Sequence, residues 1–263
     1  MPTDEFITLT AGLRSLGGRR VWSLMISLFG DLAHARVRSI DGPLLSTIMG
    51  AMLVKPEAAR VALHRLRNDG WITSQKSGRI SQHGLTSKGR AESAAASPRI
   101  YADPDLDTDG WQLVLSETGT SEQIEEMAAR GFISVAARVF VGPMTAKAPQ
   151  GCVVVSAMDA PDWLRAQAEP QELSESYAAL RDILLELQKT LPPPESFSPI
   201  EVVVLRCLIV HNWRRLVLKH PALPAPLIDR SGSAHQCHLL VSDLLTRFAR
   251  PRLSEIEQSS AAA

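Results

Sequence analysis

The segment Lys55 to Gly70, KPEAARVALHRLRNDG, is the most informative part of this chain of 263 residues. Pro56 suits the first turn of a helix, and Asp69-Gly70 is a typical helix end. Apolar side chains recur at helical spacing along one face, at Ala59, Ala62, Leu63 and Leu66. The stretch therefore predicts an amphipathic helix that packs on one side and carries basic side chains on its other faces.

Two more helices are predicted upstream. Asp41-Gly42-Pro43 is a turn with a proline suited to the first helical position, and apolar residues then recur up to Met52. The short break at Leu53 to Lys55 separates this helix from the next one. An apolar helix is also expected over Val21 to Phe29, ending at Gly30. Two helices joined by so short a turn indicate a helix-turn-helix.

A β-hairpin is predicted directly after these helices. The segments Trp71 to Thr73 and Ile80 to Leu85 are β-prone and flank the turn Lys76-Ser77-Gly78-Arg79. Helices followed by a hairpin are typical of a winged helix-turn-helix, which we expect over residues 21–92. Residues 1–20 are rich in glycine and arginine and are predicted to form a flexible arm.

The remaining sequence predicts an α+β protein with two further domains. Residues 93–108 look like a linker, although small residues around 91–98 also suit a helix leading away from the hairpin. A ferredoxin-like domain is expected over 109–169 and a helical carboxyl-terminal domain over 170–253, with a frayed tail at 254–263. The predicted elements are strands Trp111 to Leu115, Ile133 to Val141 and Gly151 to Ala157, and helices Ser121 to Arg130 (capped by Ser121), Asp159 to Ala168, Ser174 to Leu191, Pro199 to His220 and Ala234 to Phe248.

Charge is distributed unevenly along a chain whose formal net charge is +0. Residues 12–90 hold 13 Lys and Arg against 4 Asp and Glu, whereas residues 91–263 hold 15 against 22. A basic segment joined to an acidic one favours a polyanion-binding domain attached to a domain with another role.

Cysteine usage and hydropathy bound the class of protein. The widely spaced Cys152, Cys207 and Cys237 make a disulfide framework improbable and favour a reducing cytoplasm. No apolar run approaches the roughly 20 residues that span a bilayer, so no membrane association is expected.

The basic side chains of the predicted second helix and hairpin are candidates for contacts with double-stranded DNA. A helix in this position lies in the major groove, where arginine pairs with guanine or holds phosphate, and a basic hairpin tip contacts the backbone or the minor groove. The alternative is a solvated amphipathic helix without a partner, against which the basic hairpin argues. His83 is a further candidate for a hydrogen bond. The predicted contacts are Lys55, Arg60, His64, Arg65, Arg67, Lys76, Arg79 and Ser81.

Several motifs together resemble the PaaX family of repressors of phenylacetate and related aromatic catabolism. They occur in matching order from near the amino end to near the carboxyl end. The matching residues are Leu28-Phe29-Gly30-Asp31, Arg60-Val61-Ala62-Leu63-His64-Arg65-Leu66, Gly70-Trp71-Ile72, Gly78-Arg79, Leu85-Thr86, Gly89, Arg99-Ile100-Tyr101, Trp213-Arg214-Arg215-Leu216 and Lys219-His220-Pro221-Ala222-Leu223-Pro224.

The resemblance implies a ligand-responsive repressor that binds a palindromic operator as a homodimer. It also implies release from DNA by an aryl-coenzyme A thioester such as phenylacetyl-coenzyme A. The cations of the matched carboxyl-terminal segment are candidates for its phosphates: His211, Arg214, Arg215 and Lys219. The alternative is that Trp213 and these arginines pack at a domain or dimer interface.

Enzymatic alternatives have weaker support in the sequence. A metal-dependent nuclease would need acids at a strand end, where Asp103, Asp105, Asp107 and Asp109 precede a strand, but a solvated linker explains them more simply. The set Cys207, His211, His235, Cys237 and His238 lacks the paired spacing of a zinc site. We therefore expect no catalytic residues, metal or cofactor, and keep a protein-interaction module without a DNA role as a third hypothesis.

Overall fold

The structure, a computed structural model, describes residues 2–16, 20–32, 39–104, 110–169, 171–219 and 222–261. The chain divides into two compact units. Unit 1 comprises residues 1–101, 182–215 and 240–263, and unit 2 comprises residues 102–181 and 216–239. Helices together with two antiparallel sheets confirm the predicted α+β class. The division differs from a separate carboxyl-terminal domain over 170–253, because part of that segment belongs to unit 1.

The amino-terminal third of the chain supplies the helices and the first sheet of unit 1. Its elements are α1 Asp4–Leu9, α2 Ala11–Ser15, α3 Val21–Leu32, β1 Ile40–Asp41, α4 Gly42–Ala51, α5 Pro56–Asn68, β2 Ile72–Ser77, β3 Ile80–Leu85 and α6 Ser87–Ile100.

The middle of the chain forms the second sheet and two helices. Its elements are β4 Trp111–Leu115, α7 Ser121–Ala129, β5 Ile133–Ala136, β6 Val139–Pro143, β7 Val153–Ala157 and α8 Asp162–Ala168. The rest is helical, with α9 Gln171–Thr190, α10 Pro199–Val217, α11 Ser233–Arg247 and α12 Leu253–Ala261, besides short 3-10 turns at Pro194–Ser196 and Ala225–Leu227. None of the helices within the described ranges is long and apolar enough to cross a membrane.

The predicted flexible arm is wrong for the part of residues 1–20 that the structure describes. Thr3 caps α1, because its Oγ1 accepts a hydrogen bond from the backbone N–H of Phe6 at 3.2 Å. Phe6 is fully buried and Leu13 is 2% exposed, so α1 and α2 are part of the core. The prediction relied on the glycine and arginine content of the segment. Burial of the apolar side chains of Phe6 and Leu13 orders the segment despite that content. Residues 17–19 lie outside the described residues.

Glu201 joins this amino-terminal segment to the start of α10. Its Oε1 accepts hydrogen bonds from the N–H and Oγ1 of Thr3 at 2.9 and 3.1 Å. Its Oε2 accepts from the N–H and Oγ of Ser198 at 3.0 and 2.9 Å, which is the reciprocal arrangement of a capping box. One carboxylate therefore both caps α10 and holds the start of the chain.

Helix α3 continues through Gly30, where the sequence predicted its end. Leu28, Phe29 and Leu32 are buried, and Asp31 is 2% exposed and bonded to Arg206. Because the next turn carries both apolar contacts and an ion pair, tertiary packing overrides the tendency of glycine to end a helix.

The first sheet has the strand order β1-β3-β2 and is antiparallel. The hairpin prediction is matched by β2 and β3, in which the pair Ser77 and Ile80 brackets the two turn residues. Gly78 there has a φ of +62°, a conformation that glycine adopts without strain. Strand β1 was not predicted; it pairs only Ile40 with His83 and Asp41 with Gln82, which is too short for a periodic signal.

The second sheet has the antiparallel order β5-β6-β4-β7. The segment predicted as one strand over Ile133 to Val141 is two strands, because Arg138 takes a φ of +66° and reverses the chain. Two apolar clusters connect this sheet to its helices. One contains Met127 of α7 and Val114, and the other contains Leu164 of α8 and Trp111. The predicted cap of α7 is also displaced by one residue, from Ser121 to Thr120, whose Oγ1 accepts from the N–H of Gln123.

Two other segments are more ordered than the sequence predicted. The first half of the linker proposed for 93–108 lies in α6, which corresponds to the helical alternative for that segment. The tail expected to fray forms α12, where Ile256 is fully buried and the helix packs near α4. One buried apolar residue forms no periodic pattern, so this helix could not be predicted from the sequence.

Candidate nucleic-acid interface

The turn between α4 and α5 sets the direction of α5. Leu53 has a φ of +61° and donates its backbone N–H to Gly50 O at 2.8 Å, and Val54 donates to Met49 O at 3.0 Å. These bonds close the carboxyl end of α4. Helix α5 then buries Ala62 and Leu66 and packs against α3, α4 and β2. Its opposite face is consequently turned to solvent.

Arg60 is a widely exposed cation of that face, with 75% of its side chain open to solvent. Its nearest carboxylate oxygen, Oε1 of Glu57, lies 3.9 Å from Nη1 and is itself 73% exposed. An exposed pair at this distance contributes little and is screened by salt. The guanidinium therefore keeps its donors available to a ligand.

Arg65 is exposed but partly oriented by its neighbours. Its Nε lies 3.5 Å from Oδ2 of Asp69, and its guanidinium carbon lies 4.6 Å from the centre of the Trp22 ring. The cation–π contact holds the planar group in one direction. His64 and Arg67 are exposed on the same helix, and Lys55 is exposed at its start.

Val61 is a feature of this face that the sequence analysis missed. It is 70% exposed, although valine is usually buried, and it follows Arg60 directly. The sequence did contain a sign of this exposure, because Val61 does not fit the helical spacing of the buried residues Ala62 and Leu66. An exposed methyl-bearing side chain beside arginine donors is chemically suited to the methyl group of thymine.

The hairpin presents further cations. Lys76 and Arg79 are exposed on either side of the turn, and Ser81 is half-buried opposite Lys76. His83 is instead 5% exposed, with Nδ1 2.7 Å from Oγ of Ser74. Burial lowers its pKa, with the charge of Arg67 adding to the effect. The expected hydrogen bond from His83 to a partner molecule is therefore corrected to a bond within the hairpin.

The structure separates the candidate ligand residues of the carboxyl-terminal segment. His211, Arg214 and Arg215 lie in unit 1, whereas Lys219 is exposed in unit 2. His211 is 7% exposed, with Nδ1 3.2 Å from Oγ of Ser27. Burial and the charges of Arg214 and Arg215 lower its pKa to about 4, so it is neutral at pH 7. It cannot serve there as a cation for phosphate.

The two arginines that follow are held in different ways. Arg214 Nη1 lies 3.5 Å from Oγ of Ser27, and its buried Nε has no hydrogen-bond partner within the described part of the chain. Burial lowers the pKa of Arg214. Arg215 donates from Nη1 to Leu16 O at 3.4 Å. The nearby Trp213 is 2% exposed and donates to Ile100 O at 3.0 Å, so it packs inside unit 1.

A buried ion-pair network in unit 1 was not predicted from sequence. Both carboxylate oxygens of Asp31 accept bonds from Arg206, at 2.9 Å from Nε and 3.0 Å from Nη2. Arg250 and the hydroxyl of Tyr101 also donate to Oδ1, at 2.9 and 3.0 Å. Burial alone would raise the pKa of Asp31, but the hydrogen bonds and charges of both arginines outweigh it and lower that pKa. The network joins α3, α6 and α10.

The described residues contain no group of three or more His, Cys, Asp or Glu side chains that could hold a metal ion. The predicted acids Asp105, Asp107 and Asp109 lie outside the described residues. The nuclease alternative therefore finds no support in the described side chains, nor does the histidine and cysteine set of the carboxyl-terminal segment.

Fold and site together define an α+β protein in which a short turn joins α4 to α5, a helix with a basic outward face. A sequence model of the family described as PaaX-like protein matches residues 20–89, and one described as PaaX-like protein C-terminal domain matches residues 169–252. The chain belongs to the PaaX family, which confirms the resemblance drawn from its motifs.

One curated relative agrees with this assignment, and one solved structure is similar in fold. The chain is 24% identical over 261 residues to the transcriptional repressor PaaX of Escherichia coli (strain K12), covering 90% of this chain and 83% of that protein. Among solved structures it is similar to an uncharacterised protein from Mycobacterium tuberculosis, with a TM-score of 0.55 and 17% identity over 90% of this chain and 97% of the other. That second similarity concerns the fold alone.

Proposed function

We propose that this protein is a DNA-binding transcriptional repressor whose winged helix-turn-helix runs from α3 to β3. The observation that carries the proposal is the face of α5 described above, where exposed arginines project from a helix anchored by Ala62 and Leu66. The name of the relative from Escherichia coli, a transcriptional repressor, supports the same function.

Helix α5 enters the major groove in this proposal. Arg60 contacts base edges, Val61 lies against a thymine methyl, and Arg65 and Arg67 hold phosphates toward the carboxyl end of the helix. Lys55 adds a cation at the amino end of α5, where the helix dipole already favours a phosphate. His64 completes this face.

The hairpin of β2 and β3 acts as the wing. Lys76 and Arg79 contact the backbone or the minor groove, and Ser81 adds a hydrogen bond from the same strand. These contacts position the protein along the duplex without selecting a sequence, so they contribute affinity that depends strongly on salt.

The protein acts as a homodimer on a palindromic operator of a phenylacetate-type catabolic operon, and an aryl-coenzyme A thioester releases it. Membership of the PaaX family supports this part. A twofold-symmetric dimer matches a palindrome because each copy meets one half-site. Unit 2 offers an edge for such contacts: β7 is at the edge of its sheet, and Val153, Val154 and Val155 on it are about half exposed.

We assign a ferredoxin-like arrangement to the sheet of unit 2. Its antiparallel strand order β5-β6-β4-β7 supports this assignment. The protein is proposed to be a regulator rather than an enzyme. Metal-dependent cleavage of labelled DNA tests that directly, and we expect none with Mg²⁺ or Mn²⁺.

A mobility-shift titration on the DNA upstream of the protein's own gene tests the central proposal. We expect a shift that survives excess unrelated DNA, and its loss on adding phenylacetyl-coenzyme A but not coenzyme A alone. Sedimentation equilibrium of the free protein should give twice the mass of one chain. A shift that unrelated DNA removes would contradict the repressor, and a specific shift that ignores the thioester would contradict only the effector.

A further inference from the structure

A cavity of about 460 Å³ lies within unit 1, between the turn that precedes α5 and the helices α2, α3 and α10. Its wall is largely aliphatic and includes Val21, Leu24, Met52, Val54 and Leu208. A cavity of this size and lining is typical of a site for a small organic molecule.

The polar lining of this cavity is exclusively cationic or neutral. Arg14, Arg20 and Lys55 bring positive charge to it, and none of the described lining residues is Asp or Glu. The neutral groups are His211 and Asn212, both of which are held by bonds inside the protein. An anion entering the cavity would meet attraction without a competing carboxylate.

Arg14 has donors that the protein itself does not satisfy well. Its Nε is buried and has no hydrogen-bond partner among the described residues, and its Nη2 lies a long 3.5 Å from Ala51 O. Burial lowers its pKa, which is the effect expected of a cation without a counterion. Nη1 is well satisfied, donating to Ile7 O at 3.0 Å and also to Oγ1 of Thr10. An anionic group in the cavity would supply a counterion for this guanidinium.

We infer that this cavity binds an apolar organic anion, with the anionic group at Arg14, Arg20 and Lys55 and the hydrocarbon part along Leu24, Met52 and Leu208. The inference rests on the proposed ligand-responsive function and gives it a location. It differs from the sequence-based candidates, because Arg214, Arg215 and Lys219 do not line this cavity.

The position of the cavity links a ligand to DNA binding inside one unit. Residues 52–55, which set the direction of α5, form part of its wall. Lys55 is shared between the cavity and the proposed DNA face, so an anion bound beside it neutralises a charge that would otherwise meet phosphate. An anion on Arg14 also competes with the weak bond to Ala51, the last residue of α4. Both effects lower affinity for DNA.

Fluorescence of 8-anilinonaphthalene-1-sulfonate, itself an apolar anion, tests the site in the full chain without DNA. We expect one saturable site per chain and displacement by octanoate at concentrations at least tenfold below those needed for octanol or octylamine. Equal displacement by all three would overturn the anionic part of the inference.

Two variants locate the site. Arg20 is exposed, so Arg20→Glu should leave folding intact and weaken the dye tenfold or more, whereas Arg252→Glu, an exposed site of unit 1 outside the cavity, should not. Val21→Trp should fill the cavity and abolish saturable binding, with Ile124→Trp at an exposed position of α7 as its control. Circular dichroism checks that each variant is folded.

The outcome separates this inference from the proposed function. Parent-like dye binding by both cavity variants would overturn the cavity, even if the operator shift is specific. Loss of dye binding in both, with the controls unchanged, supports the cavity even if no operator shift is found. A specific shift that octanoate weakens in the parent but not in Arg20→Glu would support the link between the two sites.

Discussion

Arginines of α5 and α10 have opposite surroundings although both are helix residues of unit 1. The side chain of Arg60 on α5 is 75% exposed and has one distant carboxylate at 3.9 Å. That of Arg206 on α10 is 5% exposed, holds both oxygens of Asp31, and donates to Leu245 O and Phe248 O at 2.8 and 2.6 Å. Saturated donors mark an arginine that holds the fold, and open donors mark one that is available to a partner.

The largest effect should come from removing the saturated arginine. Arg206→Met leaves the buried carboxylate of Asp31 without its main partner, which should cost about 3–5 kcal/mol of unfolding free energy. Urea denaturation followed by circular dichroism measures this. Arg252→Met, at an exposed position, should stay within about 0.5 kcal/mol of the parent. Equal stability of the two variants would remove the distinction between saturated and open arginines.

Acid should reveal a second buried group of α10. His211 has a folded pKa of about 4 against an ordinary 6.5, so the unfolded chain takes up its proton first as the pH falls. The stability present above pH 6.5 is therefore lost between 6.5 and about 4, by roughly 3 kcal/mol. His211→Gln should flatten that part of a urea midpoint against pH curve. The pKa of His83 is lowered as well, so the His211→Gln variant should keep a smaller dependence of stability on pH.

Removing an arginine whose donors are open to solvent should weaken DNA binding and leave the fold intact. Arg60→Ala is expected to weaken operator binding about 10- to 100-fold and to relax selectivity at one base pair, with urea stability unchanged. Arg130→Ala is the matched control, because Arg130 follows α7, is exposed and pairs with Glu126 at 2.8 Å. Tight operator binding by the Arg60 variant would show that α5 is not the recognition helix.

Removing Arg65 should combine the two kinds of effect, weaker DNA binding as for Arg60 and lower stability as for Arg206. Arg65→Ala is expected to weaken operator binding as well, and also to lose about 0.5–1 kcal/mol of stability with the cation over Trp22. Fluorescence anisotropy and urea denaturation on the same preparation measure the two effects. Trp22→Leu should reproduce the stability loss while retaining most of the DNA affinity.

The smallest effect is expected at the wing. Arg79→Ala should reduce affinity for all sequences alike and lower the slope of log K against log salt by about 0.9, as for one lost phosphate contact. Anisotropy titrations at several salt concentrations, on operator and unrelated DNA, provide the slopes. An unchanged slope would exclude Arg79 from the interface.

Local patterns made much of unit 1 predictable. Helix α5 follows from the proline at its start, the spacing of Ala62 and Leu66, and the Asp69-Gly70 end, each of which acts within a few residues. The hairpin of β2 and β3 follows from Gly78 at its turn. The candidate DNA face was found for the same reason, because its residues share one helix.

Other features depend on residues that meet only in the fold. Asp31 and Arg206 are 175 positions apart, so no spacing rule links them. Thr3 and Glu201 are 198 apart, and without that bond the amino end looks like a flexible arm. The same limit hid the cavity, whose wall combines Leu13, Met52 and Leu208 from distant segments. Exposure, which separates Arg60 from Arg214, was equally invisible in a list of cations.

The bond between Asp31 and Arg206 also has a consequence for how the protein is made. A ribosome adds about 5–20 residues per second, so the partner of Asp31 is synthesised roughly 10–35 s after it. During that interval α3, α4 and α5 lack α10, which carries Arg206. We therefore expect DNA binding only once the carboxyl-terminal third has left the ribosome, and a prematurely terminated chain should not occupy an operator.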